Sequence, residues 1–192
     1  MKKFLAFTLI FFSTISSINA EEIKRIFVGN KDAKITIIAF ESLTCSHCAN
    51  FHKDVYPELK KNYLDTGLAK IEFRHFPLDI AAFNASKVAQ CNNDGDSKIL
   101  NSLFANQQKW VKGSSAAEAN QNLQKFLKSE GFNLDFEKCI NNKEIEDFVL
   151  NDRIDGVKKF KINATPTIII NDKKFEKSLN YKNLKKALEK LI

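Results

Sequence analysis

The apolar residues recur with two different periodicities along the chain, and each periodicity predicts one kind of secondary structure. Residues 35–40 are apolar or β-branched almost without interruption, which predicts a buried strand. In 69–76 apolar positions alternate with Glu72 and Arg74, which predicts a half-buried strand. Three shorter strands are predicted at 26–28, 167–171 and 173–175. The predicted strands therefore fall into an early group and a late group.

Between 79 and 160 no convincing strand is predicted, and the apolar residues recur at helical spacing instead. Recognisable signals begin and end these helices, such as the capping box of Ser115 and Glu118 and the stop at Gly113. The predicted helices cover 80–91, 97–110, 115–130, 134–140 and a longer stretch that ends at 160. We therefore expect an all-helical insertion between the two groups of strands.

Two further helices are predicted outside this block. The first covers 45–64 and is kinked or broken near Pro57, because proline removes a backbone donor from a helix interior. The second is capped by Asn180. Its apolar face is predicted to carry Leu184, Leu188 and Leu191. Without the helical block, the order of elements is βαβ followed by ββα.

Two cysteines stand where the early buried strand gives way to the next helix, in the sequence Cys45-Ser46-His47-Cys48. A C-x-x-C pair alone is compatible with a zinc site, a structural disulfide or a redox centre. A second motif, Thr165-Pro166-Thr167, enters the late group of strands. C-x-x-C beside a βαβ pattern, followed by X-Pro at a strand entrance, is typical of a thioredoxin-like fold. We therefore predict an α/β, thioredoxin-like fold with an inserted all-helical domain, and thiol–disulfide chemistry.

The position of each motif residue predicts its role in that chemistry. Cys45 begins a helix, where free backbone N–H groups favour a thiolate, so it is the predicted nucleophile. His47 can add positive charge or a hydrogen bond beside the sulfur and lower its pKa further. Cys48 lies one turn inward and is predicted to be the less exposed, resolving thiol. Pro166 is predicted to be cis and to bring the Thr165 backbone against the sulfurs, where it would pair with a substrate strand.

The first twenty residues have the three parts of a secretory signal peptide. Lys2 and Lys3 precede an apolar run over 4–12, and small residues follow up to Ala20. We expect cleavage after Ala20, because an uncleaved membrane anchor would need a longer and less polar stretch. Export predicts a periplasmic location, where thiols oxidise and the four cysteines fit two bridges.

The charge pattern argues against nucleic-acid binding, and the small number of candidate ligands argues against a metal site. The formal net charge of +7 comes from basic residues scattered among acidic ones, so no nucleic-acid partner is expected. Cys45, Cys48 and His52 share one region of the predicted helix, but a fourth metal ligand is missing nearby. We therefore expect no metal and no other cofactor, and we interpret His52 as a packing or surface histidine.

Two other titratable residues, Glu41 and His75, lie near the predicted strands. Glu41, four residues before Cys45, is either a proton acceptor near Cys48 that modulates its pKa or a capped or solvated loop glutamate. His75 is interpreted as a strand-face residue rather than a catalyst. Phenylalanines near Phe160 and the Pro166 loop are interpreted as lining a shallow peptide groove.

These motifs together resemble the DsbA-like family of secreted thiol–disulfide oxidoreductases. Segments 73–78 and 103–107 are also similar to family patterns, and the helical insertion distinguishes the chain from plain thioredoxins. The sequence departs from the best-studied members at Ser46, where they have proline, while His47 is kept. Family members also often have glycine at the position of Ala164. The reduction potential therefore cannot be transferred from those members.

The resemblance implies an organisation, a reaction and a set of partners. It implies a thioredoxin-like domain in two segments, 21–78 and 161–192, with 79–160 as the helical insertion. It implies oxidation of cysteines in newly exported proteins and reoxidation by a quinone-linked membrane partner of DsbB type. Because some members carry a second bridge in the helical domain, it also implies a structural disulfide between Cys91 and Cys139. The alternative for these two is a pair of buried free thiols.

Three functions remain open from the sequence. The first is an oxidase that donates disulfides to unfolded or newly exported proteins through Cys45 and Cys48. The second is an isomerase or reductase of the same superfamily. Known isomerases carry an N-terminal dimerisation domain, for which there is little room before Cys45, so a monomer is expected. The third is a surface or peptide-binding protein that retains the fold, although binding alone would not need both thiols.

Overall fold

The computed structural model describes residues 22–192, so the predicted signal peptide lies outside the described residues. Within that range, no helix has the length and apolar character to cross a lipid bilayer. The strands are β1 (Ile26–Gly29), β2 (Ile35–Glu41), β3 (Ala69–His75), β4 (Thr167–Ile170) and β5 (Lys173–Lys174). The helices are α1 (Ser46–Asp54), α2 (Tyr56–Leu59), α3 (Ile80–Gln90), α4 (Lys98–Ala105), α5 (Gln107–Trp110), α6 (Ala116–Ser129), α7 (Phe136–Ile140), α8 (Lys143–Phe160) and α9 (Tyr181–Leu188), and a π-helical segment, Lys60–Leu64, follows α2 directly.

The strands form one mixed sheet in the order β1-β3-β2-β4-β5. β2 and β3 are parallel, and the other neighbouring strands are antiparallel. β2 lies at the centre and is buried along almost its whole length, which explains its apolar run. Because side chains alternate between the faces of a strand, Ile37, Ala39 and Glu41 share one face of β2. Ile38 and Phe40 share the other.

The helix predicted over 45–64 is interrupted, as expected near Pro57. α1 ends at Asp54, and α2 begins with Pro57 in its first turn, where a missing backbone donor is tolerated. The chain then continues through the π-helical segment to Leu64. Between Ser46 and Leu64 the chain is thus mostly helical but changes geometry twice.

The segment between β3 and β4 contains helices α3 to α8 and, within the described residues, no strand. The single helix predicted over 97–110 is instead two, α4 and α5, which meet at Asn106 in a non-helical conformation (φ −122°, ψ 26°). Ser115 caps α6 through the Glu118 N–H at 3.2 Å, but the Glu118 carboxylate bonds to Ser114 rather than back to Ser115. The predicted capping box is therefore only half formed.

The insertion and the sheet share one hydrophobic core. Cys48 and Phe51 on α1 and Phe73 on β3 belong to the same buried cluster as Leu100 and Phe104 on α4. A smaller cluster covers the opposite face of the sheet and consists of Ile38, Phe40, Phe76, Ile162 and Ile169, with Phe160 packed against it. α8 approaches this face closely, since a Cβ added to Gly156 would lie 2.9 Å from the Phe40 ring.

The last helix packs through fewer residues than its pattern predicts. Leu184 and Leu188 are fully buried, but Leu191 lies beyond the end of α9 and is 44% exposed. The prediction that Leu191 shares the buried face was wrong because the helix ends at Leu188.

A buried carboxylate joins the N-terminal segment to the insertion. Asp152 on α8 accepts hydrogen bonds from Arg25 Nη1 at 2.5 Å and from the His75 backbone N–H at 3.1 Å. Gln90 on α3 bonds to the His75 ring at 3.3 Å and donates to the Lys24 carbonyl. His75 is only 2% exposed, and burial lowers its pKa. Its ring therefore takes part in a buried contact between β3 and α3.

Candidate active site

Cys45 and Cys48 lie where the central strand ends and α1 begins. Cys45 is the N-cap of α1, with an extended backbone (φ −79°, ψ 119°), and its carbonyl accepts the N–H groups of Cys48 and Ala49 at 3.1 and 3.2 Å. Cys48 is fully buried, whereas Cys45 is partly exposed. A substrate sulfur can therefore reach Cys45 but not Cys48.

The pKa values of the two thiols are shifted in opposite directions. A hydrogen bond from the Cys48 thiol is the largest of several effects that together lower the pKa of Cys45 to about 5, against the opposing effect of burial. The backbone N–H groups of Cys48 and His47 lower it further. Burial raises the pKa of Cys48, and the neighbouring Cys45 and Glu41 raise it too. At neutral pH, Cys45 is thus a thiolate and Cys48 remains a thiol that donates to it.

His47 is exposed, and its backbone affects the pKa of the Cys45 thiol. Its N–H is one of the groups that lower the pKa of Cys45. Its side chain lines a cleft beside Pro166. A charge or a hydrogen bond from this residue was predicted, and the contribution to the lowered pKa of Cys45 comes from its backbone.

The Thr165–Pro166 peptide bond is cis and brings the Thr165 carbonyl to Cys45. Cys45 Sγ lies 3.3 Å from that oxygen. The adjoining cleft, of about 520 Å³, is lined by Phe51, Pro166, Leu179 and Tyr181 among other residues. Phe160 is not part of it, because its ring packs against Phe40 at 5.9 Å. Of the phenylalanines, it is thus Phe51 that lines the cleft beside Pro166.

Glu41 is buried at the end of β2, on the face that α1 covers. It is 4% exposed, and its carboxylate oxygens lie 2.9 and 3.1 Å from His52 Nε2. Burial raises the pKa of Glu41, and His52 partly offsets this effect. The alternative of a solvated loop glutamate was wrong. The contact of His52 with Glu41 was not predicted, although the spacing of seven residues between Cys45 and His52 places both on the same face of α1.

A contact of Gln107 on α5 was also not predicted. It connects the insertion to the redox loop, which we define as residues 42–45 between β2 and α1. Its Nε2 donates to the carbonyls of Leu43 at 2.7 Å and of Cys45 at 3.0 Å. The insertion therefore fixes the main chain on the N-terminal side of the reactive thiol.

The remaining two cysteines lie apart from this pair. Cys91, at the C-terminal end of α3, and Cys139, on α7, have their Sγ atoms 2.00 Å apart and form a disulfide. Within residues 22–192, no group of three or more His, Cys, Asp or Glu side chains is placed to hold a metal ion.

The chain is similar to proteins of known family. A family model described as thioredoxin matches residues 21–190. A putative protein-disulfide oxidoreductase from Rickettsia bellii is 27% identical over 169 residues, which are 86% of this chain and 63% of that protein. Disulfide bond formation protein D from Bacillus subtilis is 29% identical over 85% of this chain and 75% of that protein. The chain thus spans less than two thirds of the Rickettsia relative.

A solved structure shows a similar fold over most of the chain. The crystal structure of Wolbachia pipientis alpha-DsbA1 superposes with a TM-score of 0.77 and 30% identity, covering 87% of this chain and 90% of that one. The predicted α/β fold class is confirmed by this match and by the observed sheet. The resemblance stated from the motifs is confirmed as well. The chain belongs to the thioredoxin family of the matching model and, within that superfamily, to the DsbA-like proteins.

Proposed function

We propose that the protein is a thiol:disulfide oxidoreductase that donates disulfide bonds through Cys45 and Cys48. The observation that carries this proposal is the pairing of an accessible Cys45 thiolate with a buried Cys48 thiol. The names of the Rickettsia and Bacillus relatives support the same reaction class.

The reaction follows from the different access of the two sulfurs. In the oxidised protein, a substrate thiolate attacks Cys45 Sγ, the Cys45–Cys48 bond breaks, and Cys48 leaves as a thiolate that takes up a proton. A second substrate thiolate then attacks the substrate sulfur of the mixed disulfide and releases the Cys45 thiolate. Two substrate thiols thereby become one disulfide, and the protein takes up the two electrons.

The acidity of Cys45 sets the direction of exchange. A thiolate of low pKa is a good leaving group and is stabilised only when the disulfide is open. The low pKa of Cys45 therefore favours the reduced protein and makes the oxidised protein a disulfide donor. Ser46 is exposed and stands where the best-studied members of the family have proline, so the size of this bias is specific to this chain.

The proposed substrates are unfolded or newly exported proteins that contain cysteine. Their backbone would pair with the main chain at Thr165, beside cis-Pro166, and their side chains would enter the cleft that Phe51 and Tyr181 line. We further propose a periplasmic, monomeric protein, cleaved after Ala20, that is reoxidised by a quinone-linked membrane protein of DsbB type. No nucleic-acid partner is proposed.

The proposed organisation has a thioredoxin-like domain formed by 21–78 and 161–192, with 79–160 as the helical insertion. The Cys91–Cys139 bridge is proposed to be structural, since it joins two helices of the insertion. Closing a loop of 48 residues contributes roughly 4 kcal/mol to stability in the chain-entropy model.

The reduction potential of the Cys45–Cys48 pair tests the proposal. Equilibration with glutathione buffers is expected to give a value well above the roughly −270 mV of thioredoxin, and the oxidised protein is expected to oxidise a reduced, unfolded model protein. The Cys45→Ala variant should lose this activity, while a Cys91→Ala/Cys139→Ala variant should keep the potential. A potential near that of thioredoxin would refute disulfide donation and favour a reductase.

A further inference from the structure

Cys48 must lose and regain a proton in every cycle, although its side chain is fully buried. This requirement rests on the proposed function, in which the Cys45–Cys48 bond opens and closes repeatedly. A buried thiol has no direct contact with water, so a protein group has to move the proton. Glu41 is buried on the face of β2 whose Ile37 and Ala39 pack in one core cluster with Cys48, and its charge contributes to the raised pKa of Cys48.

Glu41 alone does not connect Cys48 to solvent, since it is itself only 4% exposed. His52 provides the missing connection. Its Nε2 lies 2.9 and 3.1 Å from the two carboxylate oxygens, so a proton between them can reside on either group. The residue also lines a cleft of about 570 Å³ between α1 and the α4–α5 region.

Polar residues at the cleft wall, such as Asn50, Lys53 and Gln108, make this space suitable for water. Among the described residues, no protein atom forms a hydrogen bond with His52 Nδ1, whereas Nε2 is engaged with Glu41. The imidazole is therefore bonded to a buried acid through Nε2, and within the described residues Nδ1 has no protein partner.

Aromatic packing holds the ring in this orientation. Phe104 of the insertion stacks on His52 with 4.1 Å between ring centroids and an interplanar angle of 18°. Tyr56 and Phe73 approach the ring at 5.3 and 5.4 Å. This packing keeps Nε2 directed at Glu41. The nearest of the aromatic rings around His52 belongs to Phe104 on helix α4 of the insertion.

We propose that His52 is a positioning residue that relays protons between the cleft and Glu41, and thereby controls the protonation of Cys48. During reoxidation, Cys45 carries a mixed disulfide with the oxidant. The Cys48 thiol gives its proton to the Glu41 carboxylate, and its thiolate attacks Cys45 Sγ and expels the oxidant's thiolate. Glu41 then passes the proton through His52 to water. During donation to a substrate, the same route runs in reverse and protonates the leaving Cys48.

Other titratable side chains lie near the proposed path from Cys48 through Glu41 and His52. Cys45 and Cys48 face Glu41 from α1, Tyr56 faces it from α2, and burial together with Glu41 raises the pKa of Tyr56 to about 12. Lys53 borders the cleft. Tyr56 therefore stays neutral at physiological pH, and His52, which contacts Glu41 and lines the cleft, connects the two.

A chromogenic aromatic disulfide such as 5,5′-dithiobis(2-nitrobenzoate) separates the two steps in one stopped-flow trace of the reduced protein. The first equivalent of coloured thiolate reports attack by Cys45, and the second reports attack by Cys48 on the mixed disulfide. His52→Gln should slow the second phase about tenfold or more near pH 7 and leave the first phase unchanged. His75→Gln, which removes another buried imidazole, should change neither phase.

Chemical rescue distinguishes a relay from a packing role. In His52→Ala, free imidazole should enter the vacated space and restore the second phase in a concentration-dependent way, with no effect on His75→Ala. The relay is refuted if His52→Gln keeps the wild-type second phase between pH 6 and 8, or if imidazole fails to accelerate His52→Ala. Failure of the wild-type protein to release even the first equivalent would instead refute the proposed function.

Discussion

Cys45 and Cys48 carry the same side chain, yet their surroundings give them opposite protonation at neutral pH. Position alone predicted which sulfur is accessible, because the first residue of a helix faces outward and the residue one turn in is covered. The strongest influence on Cys45, the hydrogen bond from Cys48, depends on side-chain geometry that the sequence does not define. The contact of Glu41 with His52 joins a strand to a helix across eleven residues, and neither residue type identifies the other as its partner.

The hydrogen bond between the two thiols can be tested by a pair of substitutions. In Cys48→Ala the thiolate absorbance of Cys45 should titrate at a pH well above 5, because the main donor is gone. Cys48→Ser keeps a hydroxyl donor of similar size and should titrate at an intermediate pH. Ultraviolet absorbance near 240 nm measures both. Midpoints that stay near 5 in both variants would show that the backbone N–H groups, and not the thiol, determine the acidity.

At the scale of elements, most helices and strands could be predicted, since each has its own periodicity and its own caps. The break between α4 and α5 could not be. No glycine or proline marks Asn106, so the local sequence favours one continuous helix. The break nevertheless sets the direction of α5, and this direction brings Gln107 to the carbonyls of Leu43 and Cys45.

Gln107→Ala tests this contact between the insertion and the redox loop. The substitution removes the side-chain donor of the Leu43 carbonyl and one of the three donors of the Cys45 carbonyl, so we expect a loss of about 1–3 kcal/mol in the free energy of unfolding. Urea denaturation measures the loss. Gln108→Ala, at the exposed neighbouring position, should change it by no more than about 0.5 kcal/mol. Equal effects of the two substitutions would contradict the role of Gln107.

The whole molecule has one principal core that includes both the sheet and the insertion. The succession of elements along the chain, with a block of helices between β3 and β4, could be predicted because each element has its own pattern. The contact of Phe104 with His52 could not, since a helical pattern shows which residues are buried but not which ring each one meets. The insertion is therefore more than a cover for the sheet, because it supplies packing and hydrogen bonds to the redox site.

Stability should depend on the redox state and on pH together. In the reduced protein, the folded-state pKa of Cys45 is about 5, against an ordinary value of 9.0. Between these values the unfolded chain binds more protons at Cys45, so the free energy of unfolding rises with pH across this window. Above pH 9 the buried Cys48 has the reverse effect, because the folded protein retains a proton that the unfolded chain releases. The oxidised protein has neither contribution.

Urea denaturation of both redox forms at pH 5, 7 and 9 measures this difference. We expect the reduced form to gain stability relative to the oxidised form from pH 5 to pH 9. Reduced Cys45→Ser, which lacks the low-pKa thiol, should lose this gain. Parallel pH curves for the two forms of the wild-type protein would contradict the acidity assigned to Cys45.

The bond between Cys91 and Cys139 also determines the covalent topology of the molecule. The residues between these two sulfurs form a closed ring that contains α4, α5 and α6, and Phe104 and Gln107 both lie inside it. A single peptide cleavage anywhere in this ring opens it without separating the molecule into fragments. The two segments that build the sheet would remain one covalent piece, and only reduction of this bond would release them from each other.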